Sequence, residues 1–348
     1  MRRHVPISHH ATSVVAFHGE ACRDLAVQVL ALAEKQKASG PLVMGWSFSG
    51  VSSFMLGRLA EGRAQLDRGI ALYDRTEPIE HSPLAARFGE DPRVASLNWR
   101  SKAIWLLGYP EAALADIDQA LKDARESSHA ASLFFAFAGS FFFVDSYCGN
   151  YMTANARVDE MIALAEEKNA SLWKALGTLG HGWLLGLTGR AADAIQMITA
   201  GITAWRAVGA TYWMPSWLSY LAGAHAELVQ LDDAWRRIGE AMTAIETTGE
   251  RWFEAEVNRI AGDIAQRSPA PDIAKAEAYF ERALAVARAQ EAKSWELRAA
   301  MSMARLWRDQ GNRKEARELL APVYGWFTEG FDTHDLKEAR ALLDELAP

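Results

Sequence analysis

The chain has 348 residues, half of them hydrophobic and 23% charged, with a formal net charge of -7. These proportions exclude a disordered chain, a collagen and a disulfide scaffold. A net-acidic chain is also poorly suited to nucleic acid or an anionic membrane surface, where clustered cations must neutralise phosphates.

The N-terminus, MRRHVPISHHATSVVAF, opens on two arginines. It lacks an apolar core ahead of a small-residue cleavage site, so it does not read as a signal peptide. Residues 1–18 read instead as an atypical N-terminal segment before a single helical domain, 19–348. Only Cys22 and Cys148 could form a disulfide. They lie about three repeats apart, so a reduced, cytoplasmic chain is expected. The most apolar stretch, Ala131 to Val144, is shorter than the roughly 20 residues of a spanning helix and reads as a buried helix.

A repeat runs through the chain. Its turn positions are Gly57, Gly108, Gly149, Gly189, Val229, Pro271 and Gly311, at intervals of 51, 41, 40, 40, 42 and 40. Five residues after each turn stand Gly62, Ala113, Ala154, Ala194, Ala234, Ala276 and Ala316. Nine after it stand Leu66, Ile117, Val158, Ile198, Ile238, Phe280 and Leu320. The two columns are four apart and share one helix face. The small residue lets the preceding helix come close, and the large one fills the space between hairpins. A degenerate eighth copy has Phe17 at the turn and Cys22 at the small position. An aromatic recurs about 24 residues after the turn, at Trp173, Trp213, Trp252 and Trp295, with Phe134 in a shifted copy.

The pattern predicts an all-α fold: an α-solenoid of seven to eight antiparallel helix pairs, tetratricopeptide-like but with a period near 40. The predicted first helices are 43–56, 94–107, 132–147, 172–188, 212–228, 253–266 and 295–310. A last helix, 335–346, caps the stack. The long first interval implies an irregular loop over 75–92, rich in Pro and Gly.

Catalytic signatures are missing. There is no phosphate-binding loop, no H-E-x-x-H and no C-x-x-C, so neither a metal nor a cofactor is expected. GWSFSG at 45–50 resembles a nucleophile elbow, but it falls within a helix and has Ser49 in place of the last Gly. A hydrolase using Ser47 is a remote alternative.

In such solenoids the first helices line the concave face. The inward register selects Met44, Ser47, Val51 and Met55, then Asn98, Lys102 and Trp105, then Gly139, Phe143 and Ser146. Leu179, Trp183, Leu218, Asn258, Arg298, Met301, Arg305 and Arg308 follow. Asn98, Lys102, Trp105, Phe143, Trp183, Asn258, Arg298, Arg305 and Arg308 are the candidate groove-binding residues. The middle is aromatic and the C-terminal end cationic. An apolar ligand with an acidic end or an amphipathic partner helix would suit it. A tightly wound superhelix would instead bury these aromatics and pair the arginines with neighbouring acids.

Four strings resemble one family: LYDRTEPIEHSPLAARFGEDPRV (72–94), AIWLLGYPEAAL (103–114), TGERWFEAEVNRIAGDI (248–264) and the segment AKSWELRAAMSMARLWRDQGNRKEARELL onward from 292. They resemble the C-terminal tetratricopeptide-like region of bacterial signalling proteins that carry a class III adenylate/guanylate cyclase domain and a STAND-type ATPase. The similarity covers about residues 20–346. Glu254, Glu256, Arg259 and Gly262 match the family motif E-x-E-x-x-R-x-x-G, whereas Asn258 stands where His is usual. The resemblance implies a sensing and regulatory role without catalysis, because cyclase and ATPase are absent from this chain. The expected partner is a protein or peptide, or a small-molecule signal. The incomplete first hairpin could support a homodimer.

Overall fold

In the computed structural model, residues 17–36, 39–75, 85, 89–127, 129–267 and 271–347 are described. Most of the N-terminal segment and of the proline-rich loop expected over 75–92 lies outside them. Sixteen helices and no strand occur among the described residues. Helix α1 (Gly19–Gln36) precedes seven hairpins. These are α2 (Ser39–Met55) with α3 (Leu59–Tyr73), α4 (Pro92–Leu106) with α5 (Pro110–Ser127), and α6 (Ala130–Tyr147) with α7 (Tyr151–Glu167). Then follow α8 (Ser171–Leu187) with α9 (Ala191–Ala207), α10 (Met214–Glu227) with α11 (Leu231–Thr248), α12 (Glu254–Gln266) with α13 (Ile273–Ala289), and α14 (Lys293–Asp309) with α15 (Arg313–Tyr324). Helix α16 (His334–Glu345) stands where an eighth repeat would begin. The fold is the expected α-solenoid. Helix α1 occupies the second-helix position of the incomplete first copy, with Cys22 fully buried.

The repeat columns have the predicted roles. All seven small residues and all seven large ones are buried. The large residue packs onto a small one in the first helix of its own hairpin. A Cβ on Gly50 would meet Leu66, on Gly182 Ile198, and on Gly262 Phe280, each within 2.7 Å. Six of the seven turn positions are left-handed, including Val229 at φ +57°; Pro271, whose ring fixes a negative φ, is not. A second left-handed column marks the turns between hairpins, at Asn169, Gly209, Gly249 and Glu291. Local signals set several helix starts. The Asp91 carboxylate accepts from the Arg93 and Val94 amides beside Pro92 at the first position of α4, and Asp272 caps α13 through the Lys275 amide.

Helix α6 has 18 residues where α2, α8 and α14 have 17. Its extra residue is absorbed by a π turn, Ser140–Val144. Buried Asp145 holds that turn, accepting from the Ser140 hydroxyl and the Arg157 guanidinium at 2.5 Å each. Among the described residues α6 is the one helix long and apolar enough to cross a membrane, and 72% of it is buried against its neighbours.

The superhelix closes on itself after five repeats. The end of α2 meets the start of α12, where the Arg251 amide donates to the Met55 carbonyl at 2.7 Å. The end of α4 meets α14, where the Ser294 hydroxyl donates to the Trp105 carbonyl at 2.5 Å. The end of α6 meets α16, where the His334 amide reaches the Cys148 carbonyl at 3.4 Å. In each step the carbonyl-rich end of one helix faces the amide-rich start of another, so both sets of unpaired backbone groups are served. Two reciprocal bonds add to the seam: Glu111 accepts from the Gly330 amide and Glu329 from the Ala112 amide. At Gly108 the turn needs φ +95°, and a Cβ there would lie 2.5 Å from Trp326 and 2.9 Å from Lys293. Gly311 has a similar φ but nothing within 4 Å.

These two glycines separate the contribution of the seam from that of backbone strain. Gly311→Ala should cost about 1–2 kcal/mol, the left-handed penalty alone. Gly108→Ala should cost a further ~1–3 kcal/mol for overpacking. Urea unfolding of both variants checks this; equal losses would show that the seam is not a closed contact.

Candidate functional site

The middle of the superhelix is filled by its own aromatic side chains. Trp105 lies 5.1 Å from Trp295, 4.7 Å from Tyr147 and 5.3 Å from Phe143, ring to ring. Phe54 stacks on Trp252 at 5.5 Å, and Trp99 meets Trp213 at 5.9 Å edge to face. Each of these last two pairs joins the N-terminal repeats to the C-terminal ones. Trp105 and Phe143, candidates for a ligand surface, are buried in this cluster. Asn98 and Lys102 are buried beside it: the Lys102 ammonium bonds the Asn98 carbonyl at 3.0 Å and lies 4.9 Å from the Trp99 ring centre. Burial holds the Lys102 amine well below the usual lysine range.

Two connected cavities remain on the concave side, of about 160 and 170 Å³. They share Tyr147, Leu187, Arg259 and Arg298. The first has a floor of Trp183 and Tyr220, stacked at 4.9 Å, and runs between the ends of α8, α10 and α12. The Tyr220 hydroxyl meets that of Tyr147 at 2.5 Å. The second lies between α6, α14 and α16 and includes Met301, Arg305 and Glu338. Gly223 lines the first cavity, and a Cβ there would meet nothing within 4 Å.

Three cations of this groove, Arg259, Arg298 and Arg305, are already paired, while exposed Arg267 lines its rim. Arg298 bonds Glu256 at 3.1 Å and Asp335 at 2.8 Å, joining α14 to α12 and α16. Arg259 bonds Glu256 at 2.8 Å and also Asp263. Burial opposes charge on both acids, yet the arginines win and hold Glu256 and Asp335 below the usual carboxylate range. This explains much of the motif E-x-E-x-x-R-x-x-G: Glu256 and Arg259 form the clamp, and Gly262 admits Phe280. Asn258 is buried outside the groove and donates to the Glu254 carbonyl at 2.8 Å. Arg305 bonds Glu338 at 3.0 Å, half exposed. Arg308 bonds Asp309 and Glu345 at the protein surface.

The structure therefore divides the candidate residues. Trp183, Arg298 and Arg305 line the groove, Trp105 and Phe143 sit in the aromatic core behind it, and Asn98 and Lys102 lie deeper still. Tyr147 and Tyr220 line the groove without having been singled out from the sequence, and Arg259, there a motif residue only, lines it too. Tyr147 stands two before its turn, as Leu187 does, and both line the two cavities.

Ser47 lies mid-helix, buried, with the Ser96 hydroxyl as its partner at 3.2 Å. Among the described residues no base is bonded to it, and its burial within a helix speaks against the hydrolase reading. Both cysteines are buried and neither forms a disulfide. A larger depression, about 940 Å³, lies open between α7, α8 and α9. Its charged groups pair locally: Asp193 with Arg190, and Asp159 with His181 at 2.9 Å.

One buried acid stands at the seam without a cation bonded to it. Glu250 accepts from the Trp213 amide and the Trp252 indole, both at 2.8 Å. Burial pushes its carboxyl up to about 7, against the pull of those two bonds. Glu90 is pushed up to about 8 by burial and then by Asp91.

No family model and no curated protein matches the sequence. Solved structures of Rap proteins do match in fold. The apo form of RapI is 13% identical, with a TM-score of 0.52 over 87% of this chain and 99% of that one. A Rap protein complexed with competence and sporulation factor is 10% identical, with a TM-score of 0.58 over 89% of this chain and 77% of that one. At these identities the likeness is one of fold: a tetratricopeptide-like helical repeat.

Two outcomes test the electrostatics. A folded-state carboxyl raised to about 7 favours the protonated form, so its stabilisation is complete below about 4.5 and is lost as pH rises through 7. The unfolding midpoint should fall between about pH 5 and 8, and Glu250→Gln should be less stable but show a flatter profile. Separately, Arg298→Ala should cost about 3–5 kcal/mol by leaving buried Asp335 without its arginine and Glu256 with Arg259 alone. Arg305→Ala should cost less than about 1 kcal/mol. Denaturant titration of both variants checks the ranking.

Proposed function

We propose that the chain is a non-catalytic interaction and sensor module, read as one repeat domain from 19 to 348, that receives a protein or peptide segment in its concave groove. The observation that carries this reading is the pair of connected cavities beside the plugged core. Each is about the size of one large side chain, with aromatic floor, mixed-charge walls and a polar bridge, Arg259–Glu256–Arg298, between them. Such a surface holds two neighbouring side chains of a segment while its charged walls meet the backbone and polar groups. A single apolar, acidic small molecule fits less well between the two cavities, because Arg259 and Arg298 there are already neutralised. A Rap structure complexed with competence and sporulation factor supports this reading by analogy of fold.

The motif residues Glu254, Glu256, Arg259 and Gly262 support a narrower proposal. The module would restrain or release a cyclase or STAND-type ATPase carried by a partner. Arg298 and Glu256 join three first helices, so a segment entering between them would shift how the C-terminal repeats sit on the N-terminal ones.

Gly223→Phe should project into the first cavity with the fold kept, since Gly223 lines that cavity and a Cβ there would meet nothing within 4 Å. Partners co-purified from the native host and identified by native mass spectrometry should be lost from this variant, with unfolding unchanged. Retention of every partner by Gly223→Phe would overturn the reading.

A further inference from the structure

The seam runs in steps: repeat 1 is covered by repeat 6, repeat 2 by repeat 7, and repeat 3 by helix α16. The next two steps, the ends of α8 and α10, have no covering helix among the described residues. Equivalent positions show the difference. Two before a covered turn, Leu106 and Tyr147 are 0% and 4% exposed, whereas Leu187 is 36% exposed; one before it, Leu107 and Cys148 are 8% and 6% exposed, whereas Leu228 is 41% exposed. Val229, at the uncovered turn itself, is 60% exposed. The Met55 carbonyl at a covered step accepts an amide from across the seam. Its counterparts, Leu187 and Glu227, receive no bond from another repeat among the described residues. Val229 adds a β-branched residue at φ +57°, a strained conformation kept at an exposed site.

We propose that this ledge docks a helix of a partner protein, N-terminus first, in the place a ninth repeat's first helix would take. The inference rests on the groove reading above, because the ledge is the mouth of the first cavity: Trp183, Leu187, Gly223 and Glu227 line both. The chemistry of the docked helix follows from the covered steps. At the first two covered steps the helices open on an aromatic, Trp252 or Trp295, which sits against the N-terminal repeats while a nearby backbone amide or hydroxyl serves a carbonyl; at the third, α16 opens on His334, whose ring faces Tyr151. The partner helix therefore carries an aromatic in its first turn, free amides at its start and an apolar face for Leu228 and Val229. The aromatic enters the cavity over Trp183 and Tyr220. Approach by the other end would set carbonyls against carbonyls.

The test uses the full chain and a side-chain-bridged synthetic helix with this chain's own residues 248–267, which already fits an equivalent step. Fluorescence anisotropy should show saturable binding. Leu228→Asp and Val229→Asp in the protein, or Trp252→Ala in the peptide, should each weaken it by at least about tenfold. A peptide with the Trp-Phe pair moved to its C-terminal end should not bind. No binding to the unmodified protein, or binding indifferent to Leu228→Asp in a variant with unchanged unfolding, overturns the proposal. Native partners lost from Gly223→Phe but kept by Leu228→Asp would leave the groove reading intact and remove the docked helix. Peptide binding lost in Leu228→Asp, with native partners kept by Gly223→Phe, would do the reverse.

Discussion

The closure of the superhelix onto itself after five repeats governs the rest of the structure. Helix pairs of a solenoid normally touch only their neighbours in sequence. Here the ends of three helices also meet the starts of three others, about 190 residues away along the chain. Each contact couples a backbone bond to an aromatic one: Arg251 on Met55 beside Trp252 on Phe54, and Ser294 on Trp105 beside Trp295 on the Trp105 ring. Neither part would hold alone. A lone backbone bond is worth about 1 kcal/mol, and the buried aromatics contribute the apolar area that makes the contact persist.

Closure decides what the concave face can offer. An open superhelix would present Trp105 and Phe143 to a ligand; the closed one spends them on its own core. What remains is a shorter groove toward the C-terminal repeats, where Arg298 and Arg305 are tied to acids of adjacent helices and Arg259 to acids of its own. With these charges neutralised, the groove discriminates by shape and by the direction of the incoming chain more than by net charge. The same clamp of Glu256, Arg259 and Arg298 that neutralises the groove also ties α12, α14 and α16 together, which makes it the natural place for binding to be felt by the seam.

Much of the fold was legible in the sequence. The small and large columns predicted every hairpin, and the predicted helix limits differ from the observed ones by a few residues at most, because those columns are set by contacts between nearest neighbours. The superhelical pitch was not legible. It depends on a small rotation per repeat summed over five repeats, and no local column records it. Gly108 shows the difficulty: its left-handed turn could be read from the pattern, whereas its approach to Trp326 could not. The candidate site was legible in part. Trp183, Arg298 and Arg305 do face the groove, but the acids that neutralise the arginines come from other helices, and Asp335 lies 37 residues from Arg298. The π turn was not legible: its interval of 41 stands among intervals of 40, 42 and 51, so the spacing does not single it out.

Residue-resolved hydrogen exchange of the Arg251 and His334 amides tests the closure most directly. The first amides of a helix exchange quickly when they face solvent. If the seam is closed, both should exchange about as slowly as the interior amides of α12 and α14. Fast exchange at both, with the helices around them still protected, would mean an open superhelix and would contradict the closed core on which the groove and the ledge depend.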